Sequence, residues 1–148
     1  MSQQDACTLL DNDHQTVERL FADYRSAGKD LDTKSRLAQT VCKELTVHAI
    51  LEEEIFYPAL REATGDGDLV EEAEVEHETV KDLITEIEDA EKMDPLMDKL
   101  QKAVEHHVKE ERQKMFPKAR ATSGLDLVAL GAQLTTRKSE LTAEPAGE

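Results

Sequence analysis

His48-Ala-Ile-Leu-Glu52-Glu-Glu-Ile-Phe-Tyr-Pro58 and His107-Val-Lys-Glu-Glu111-Arg-Gln-Lys-Met-Phe-Pro117 decide the fold of this chain. Each stretch carries a histidine, a glutamate four residues on and then a proline, with an apolar pair just before the proline. Residues at i and i+4 share one helical face, with Cβ atoms about 5–6 Å apart, so each stretch aims an imidazole and a carboxylate at one point. Upstream, Asp13-His-Gln-Thr-Val-Glu-Arg-Leu-Phe21 lies over Glu76-His-Glu-Thr-Val-Lys-Asp-Leu-Ile84, matching histidine, threonine, valine and the apolar pair. The chain is therefore an internal repeat: each half is a helix pair with one histidine on the first helix and His-x-x-x-Glu on the second.

Apolar spacing extends this pattern into whole helices. Leu10, His14, Val17, Phe21 and Tyr24 follow at steps of three and four and end at Ala27-Gly28. After Lys29-Asp30 a second stripe runs through Leu37, Val41, Leu45, His48, Glu52 and Ile55, bends where Pro58 lacks a backbone donor, and stops near Thr64-Gly65. Val70, Ala73, His77, Val80, Ile84 and Ile87 mark a third helix ending near Met93-Asp94-Pro95. Leu96, Leu100, Ala103, His107 and Glu111 mark a fourth, reaching about Ala121 with Pro95 in its first turn. A weaker period in Leu127, Leu130, Leu134 and Leu141 predicts a short fifth helix. No useful stretch alternates with period two, so the expected fold is all-α: an antiparallel up-and-down four-helix bundle with a short additional C-terminal helix. One domain is expected over 1–148, with the bundle about 8–121, the extra helix about 124–141 and a mobile tail 142–148.

The 148 residues suffice for one modest core, and the net charge of −15 with a pI near 4.7 argues against nucleic acid and anionic lipid as partners. Cys7 and Cys42 cannot build a disulfide framework; Cys7 reads as a disordered terminal thiol and Cys42 as a core thiol. No basic, apolar leader opens the sequence and no apolar run is long enough to span a bilayer, so a cytoplasmic location is expected. Glu53, Glu54, Glu71 and Glu72 read as solvated helix faces.

What needs explaining is the polar content of the apolar stripes. His14, His48, Glu52, His77, His107 and Glu111 all fall on core faces, and six such groups without partners would cost several kcal/mol each after relaxation. A pair of cations removes that cost, with carboxylates as bridges and imidazoles as terminal ligands. Counted at about 1.5 Å per residue from the turns, His14 and His48 lie near one level, as do His77 and His107. Superposing Pro58 on Pro117 pairs His107 with His48, which leaves His106 as the spare, on a mostly polar face.

Two copies of His followed by His-x-x-x-Glu, over residues 10–118, resemble the hemerythrin-like, or HHE cation-binding, family. The resemblance implies an up-and-down bundle around a non-haem di-iron centre with an oxo or hydroxo bridge. His14, His48, Glu52, His77, His107 and Glu111 match the motif one by one. Zinc and manganese also suit this ligand set. The oxygen-carrying hemerythrins have a further histidine one turn before the third-helix histidine, where this chain has Ala73, which counts against reversible oxygen carriage. Tyr57, Glu74 and His106 are the candidate substitute ligands.

The resemblance implies a small diatomic ligand or peroxide as partner: ferrous iron binds O2 or NO, and a ferric pair with two carboxylates keeps about two positive charges that favour reduced oxygen species. Binding or sensing O2, NO or iron and redox state is the leading reading, and no catalytic residue is assigned. A peroxidase-type enzyme acting on peroxide or NO, with Tyr24 or Tyr57 as phenol, and a zinc or mixed-cation store are the alternatives. The sequence names no protein partner.

Overall fold

The computed structural model describes residues 4–89 and 93–143. Every regular element among them is helical: α1 (Ala6–Ser26), α2 (Leu31–Leu51), α3 (Tyr57–Thr64), α4 (Gly67–Asp89), α5 (Met93–Glu110), α6 (Phe116–Ala121) and α7 (Leu127–Ala143). π turns at Glu52–Phe56 and Glu111–Met115 join α2 to α3 and α5 to α6, so each pair forms one rod. α1 packs on α2, α4 on α5 and α2 on α4, giving the bundle that the stripes predict, and α7 lies along α1 and α2.

Local chemistry sets the helix ends. The Asp5 carboxylate accepts the Thr8 backbone N–H at 2.8 Å and Asp30 accepts that of Thr33 at 3.2 Å, capping α1 and α2. Asp66 and Asp126 accept from Leu69 and Ala129 at the starts of α4 and α7. Gly65 takes φ 69°, the left-handed conformation that ends α3. Met93 and Asp94, expected to close the third helix, instead open α5, with Pro95 in a first turn whose N–H groups have no intrahelical acceptor.

At both prolines the helix widens. Pro58 and Pro117 have no N–H to give, and their rings would collide with the preceding turn. The Tyr57 N–H therefore reaches back five residues to the Glu52 carbonyl, and the Phe116 N–H to that of Glu111. Five residues along an α-helix would put a side chain about 140° away; the wide turn brings Tyr57 under Glu52 and Phe116 under Glu111.

The core is split into two parts. One holds Cys7, Leu10, Leu51, Phe56, Leu60, Val70, Met115 and Leu134 among others, and the second holds Val17, Phe21, Val41, Leu45, Ile84, Leu100 and Val104 among others. Each helix passes from one to the other through its site residue, so the buried polar groups form a layer between two apolar clusters. Cys7 is corrected by this packing: it is fully buried in the first turns of α1, and burial pushes its thiol up to about 12. The fifth helix runs through Thr142 and Ala143, which the sequence reading gave to a tail; residues 144–148 lie outside the described residues. Among the described residues no helix is long and apolar enough to cross a membrane.

Gly131 sets how closely α7 approaches α1, because a Cβ there would collide with the Gln4 carbonyl oxygen. Helix propensity alone makes Gly131→Ala stabilising by about 1 kcal/mol, but the collision with backbone reverses the sign. The variant is expected to lose about 1–3 kcal/mol in urea unfolding, whereas Gly→Ala without the collision would gain stability.

Candidate metal centre

α1 supplies His14, α2 supplies His48, α4 His77 and α5 His107, while the two π turns begin at Glu52 and Glu111. All six are buried. Their inward atoms converge in two groups, His14 with His48 and Glu111, and Glu52 with His77 and His107, the ligand atoms of each lying within 4.8 Å of one another. His14 Nε2 is 2.9 Å from Glu111 Oε1, and His77 Nε2 is 2.9 Å from Glu52 Oε1. Each carboxylate also reaches across to the other group, Glu52 to His48 Nε2 at 3.2 Å and Glu111 to His107 Nε2 at 3.4 Å. Each glutamate thus faces imidazoles of both groups through its Oε1.

The outer face of every imidazole is held by a second carboxylate. Nδ1 of His14 meets Asp11 at 3.0 Å, that of His48 meets Asp13 at 3.0 Å, that of His77 meets Glu53 at 2.7 Å and that of His107 meets Glu76 at 2.7 Å. A carboxylate on Nδ1 fixes a proton there, so that an imidazole giving up its other proton to a metal would present the Nε2 lone pair inward, the tautomer that a metal ligand needs. Sequence reading missed all four of these residues. Glu53, expected on a solvated face, is corrected by its bond to His77, whereas Glu54, Glu71 and Glu72 are exposed as expected. The repeat held a signal: Asp13 and Glu76 each precede a site histidine at matched positions and each binds the histidine of the partner helix.

Two buried atoms, His48 Nε2 and Glu52 Oε2, have no hydrogen-bond partner among the described residues. His48 Nε2 faces Glu52 Oε1 without a bonding angle, and the Nε2 atoms of His77 and His107 face each other at 3.2 Å. Unpartnered polar atoms and paired nitrogens inside an apolar frame are what a bound cation would satisfy, so the residues fit the metal that the ligand pattern implies.

Of the candidate substitute ligands, only Tyr57 joins the cluster. Its hydroxyl donates to Glu111 Oε2 at 2.9 Å and lies 3.1 Å from Glu52 Oε1, 3.2 Å from His77 Nε2 and 3.4 Å from His107 Nε2. Ala73 is buried in the same apolar cluster as Tyr57. Glu74 instead pairs with Arg61 at 3.1 Å on the surface, and His106 is exposed, its Nε2 3.1 Å from Glu76. Tyr24 bonds Asp94 in the other half of the core, so it is no phenol for this site. A cavity of about 170 Å³ is lined by all four histidines, by Leu45, Val80 and Ile84, which read in sequence as core, by Val104 and Val108, and by the polar Thr46, Glu53 and Lys81.

The sequence model of the hemerythrin HHE cation binding domain matches residues 5–119. The chain belongs to this family. A crystal structure of a hemerythrin HHE cation binding domain-containing protein from Mycobacterium kansasii superposes with a TM-score of 0.79 at 22% identity, covering 95% of this chain and 88% of that one, which shows the shared fold. Among the curated proteins none matches the chain in sequence. A hemerythrin-like domain implies a bound metal cation, and its histidines and glutamates here are placed to hold one.

Burial opposes charge on His48 and His107, but Glu52 beside the first, Glu111 beside the second and their other carboxylate partners outweigh it, holding both imidazoles well above the usual value of 6.5. Burial likewise opposes ionisation of Glu52 and Glu111, yet His48 and His107 keep both carboxyls below the usual 4.5. The raised histidines stabilise the metal-free fold fully below pH 6.5 and lose that contribution as pH climbs toward their folded values. The depressed glutamates contribute above pH 4.5 and lose it as pH falls. In chelator, thermal melting should therefore fall as pH rises above 6.5, and saturating divalent cation should reverse that trend, because ligands must shed protons to bind it.

Proposed function

We propose that this hemerythrin-like domain is a non-haem di-iron protein that binds or senses O2, NO or the iron and redox state. The observation that carries this reading is the mainly apolar cavity lined by all four histidines. Its wall is mainly apolar, from Leu45, Val80, Ile84, Val104 and Val108, with Thr46, Glu53 and Lys81 also lining it, and at about 170 Å³ it has ample room for a small, weakly polar ligand. His14, His48 and Glu111 would hold one ion and Glu52, His77 and His107 the other, with both glutamates positioned to bridge. Iron bound there would supply redox chemistry and an open coordination position for the ligand.

The chain's own groups prepare that site. Asp11, Asp13, Glu53 and Glu76 hold the imidazoles in one tautomer, and the two apolar clusters keep bulk water from the polar layer between them. Protein purified without oxygen is expected to carry about two irons per chain and to develop ligand-to-iron charge-transfer bands on oxidation. His48→Ala and His107→Ala should each remove those bands while far-UV circular dichroism persists. Zinc in place of iron, or a folded chain without metal, would overturn the di-iron reading in favour of a cation-binding or storage bundle.

The alternative, a peroxidase-type enzyme acting on peroxide or NO, is favoured by Tyr57. Burial and the charges of Glu111 and Glu52 hold its phenol well above the usual tyrosine value of 10, so the hydroxyl keeps its proton until cations neutralise those carboxylates. Beside iron it is placed either to ligate or to donate a proton. Tyr57→Phe separates the two roles by spectroscopy. As a ligand, Tyr57 would give the oxidised protein a phenolate-to-iron band in the visible, and the phenylalanine variant would lose it with metal content unchanged. As a proton donor it would leave the spectrum alone and lower peroxide turnover by roughly 100-fold.

A further inference from the structure

The two repeats differ in how they hold their outer carboxylates. Asp13 and Glu76 are equivalent, each preceding a site histidine and each bonding Nδ1 of the partner helix's histidine. On the second repeat the other Glu76 oxygen meets His106 Nε2 at 3.1 Å, a group supplied by the bundle itself. The position equivalent to His106 in the first repeat is Val47, which has no polar group to offer and is buried instead in the apolar cluster that includes Leu130 and Leu134 of α7. α7 covers this face and supplies the missing partner: Lys138 Nζ lies 2.6 Å from Asp13 Oδ1, while Asp13 Oδ2 is 3.0 Å from His48 Nδ1. Asp13 is also the most buried of the four outer carboxylates, at 11% side-chain exposure against 15% for Glu76 and 30% for Asp11 and Glu53, so it has the greatest need of a fixed partner.

We infer that Lys138 is a positioning residue for His48, acting through Asp13, so that docking of the C-terminal helix sets how firmly the centre holds its metal. This rests on reading the cluster as a metal centre. α7 lies beyond residues 5–119, the part that carries the family signature, and among the described residues its side chains form no hydrogen bond or ion pair with the six inward groups, yet the relay gives it a grip on one of them. Lys138 fixes Asp13 in the rotamer that bonds Nδ1; without it, Asp13 is free to turn toward solvent and the His48 ring loses its orientation.

The test uses the full chain reconstituted anaerobically with Fe2+ and measures the rate of iron release to a ferrous chelator together with the optical spectrum after oxidation. Lys138→Met should release iron about tenfold faster and shift the bands, and Lys138→Arg should restore both toward wild type. In an Asp13→Asn background Lys138→Met should add nothing further, because the relay is already cut. Arg137→Met, which removes the neighbouring α7 ion pair to Glu54 at 3.0 Å, controls for docking alone and should release iron at the wild-type rate. Wild-type release from Lys138→Met, an additive effect on top of Asp13→Asn, or equal effects of Arg137→Met and Lys138→Met would overturn the relay while leaving the metal centre standing. A wild-type chain that retains no iron, zinc or manganese would overturn the reading of the cluster and the relay with it.

Discussion

Six ionisable side chains buried between two apolar clusters are the constraint on which the rest of this structure depends. Left to themselves they would repel or go unsatisfied, and the fold answers with two shells of opposite character. Inside, glutamate oxygens and imidazole nitrogens face one another at 2.9–3.4 Å. Outside, each imidazole is tied to a carboxylate, and those carboxylates meet Arg112, Lys138, Lys81 or His106 in turn. The outer shell removes the rotational freedom of the histidines, and this allows the inner shell to be dense with like-minded lone pairs. A chain that needed only a stable bundle would place leucine at these positions, since well-packed apolar groups match or exceed buried ion pairs in stability.

The prolines serve the same layer. His48 and Glu52 need a regular α-turn between them to share a face, whereas Tyr57 must return to that face only five residues after Glu52. No regular helix does both. Ending the α-ladder at the glutamate and widening the next turn satisfies the two demands at once, and Pro58 enforces it by withholding a donor. The second repeat performs the same manoeuvre but delivers Phe116, stacked on His14 at 5.9 Å, where the first delivers a phenol. Duplication thus made a symmetric ligand frame, and one hydroxyl breaks the symmetry of what the two ions would meet.

Much of this was legible in the sequence, for a physical reason: helical periodicity is a one-dimensional record of which side chains face inward. The six inward groups interrupt otherwise apolar stripes and could be read directly. The outer carboxylates could not, because Asp11, Asp13, Glu53 and Glu76 lie off the stripe, where acidic residues are abundant in a chain with 33 of them and ordinarily solvated. Tyr57 could be named in sequence as one candidate ligand or phenol among several but not singled out, since its return to the site needs a turn that α-periodicity does not contain. Cys7 was misplaced because a terminal position suggests fraying, whereas the Asp5 cap and the cover of α7 hold the first turn of α1 in place. The end of the third helix was misread for a related reason: Pro95 marks a helix boundary, but its tolerance in a first turn lets α5 begin ahead of it.

The strong acidity of the chain acquires a role once the site is set within it. Within the proposed reading, a net charge of −15 would lower the local concentration of anions at an opening to a cationic centre, and the mainly apolar wall would admit an ion stripped of water only at a large penalty. Neutral, weakly polar molecules such as O2 and NO would feel neither barrier, whereas hydrogen peroxide escapes only the first, since it must give up hydrogen bonds to water. The surface charge and the cavity wall therefore select in the same direction. Within the proposed reading, that filter separates the small neutral ligand from the phosphate and carboxylate anions that would otherwise compete for an open position on the metal.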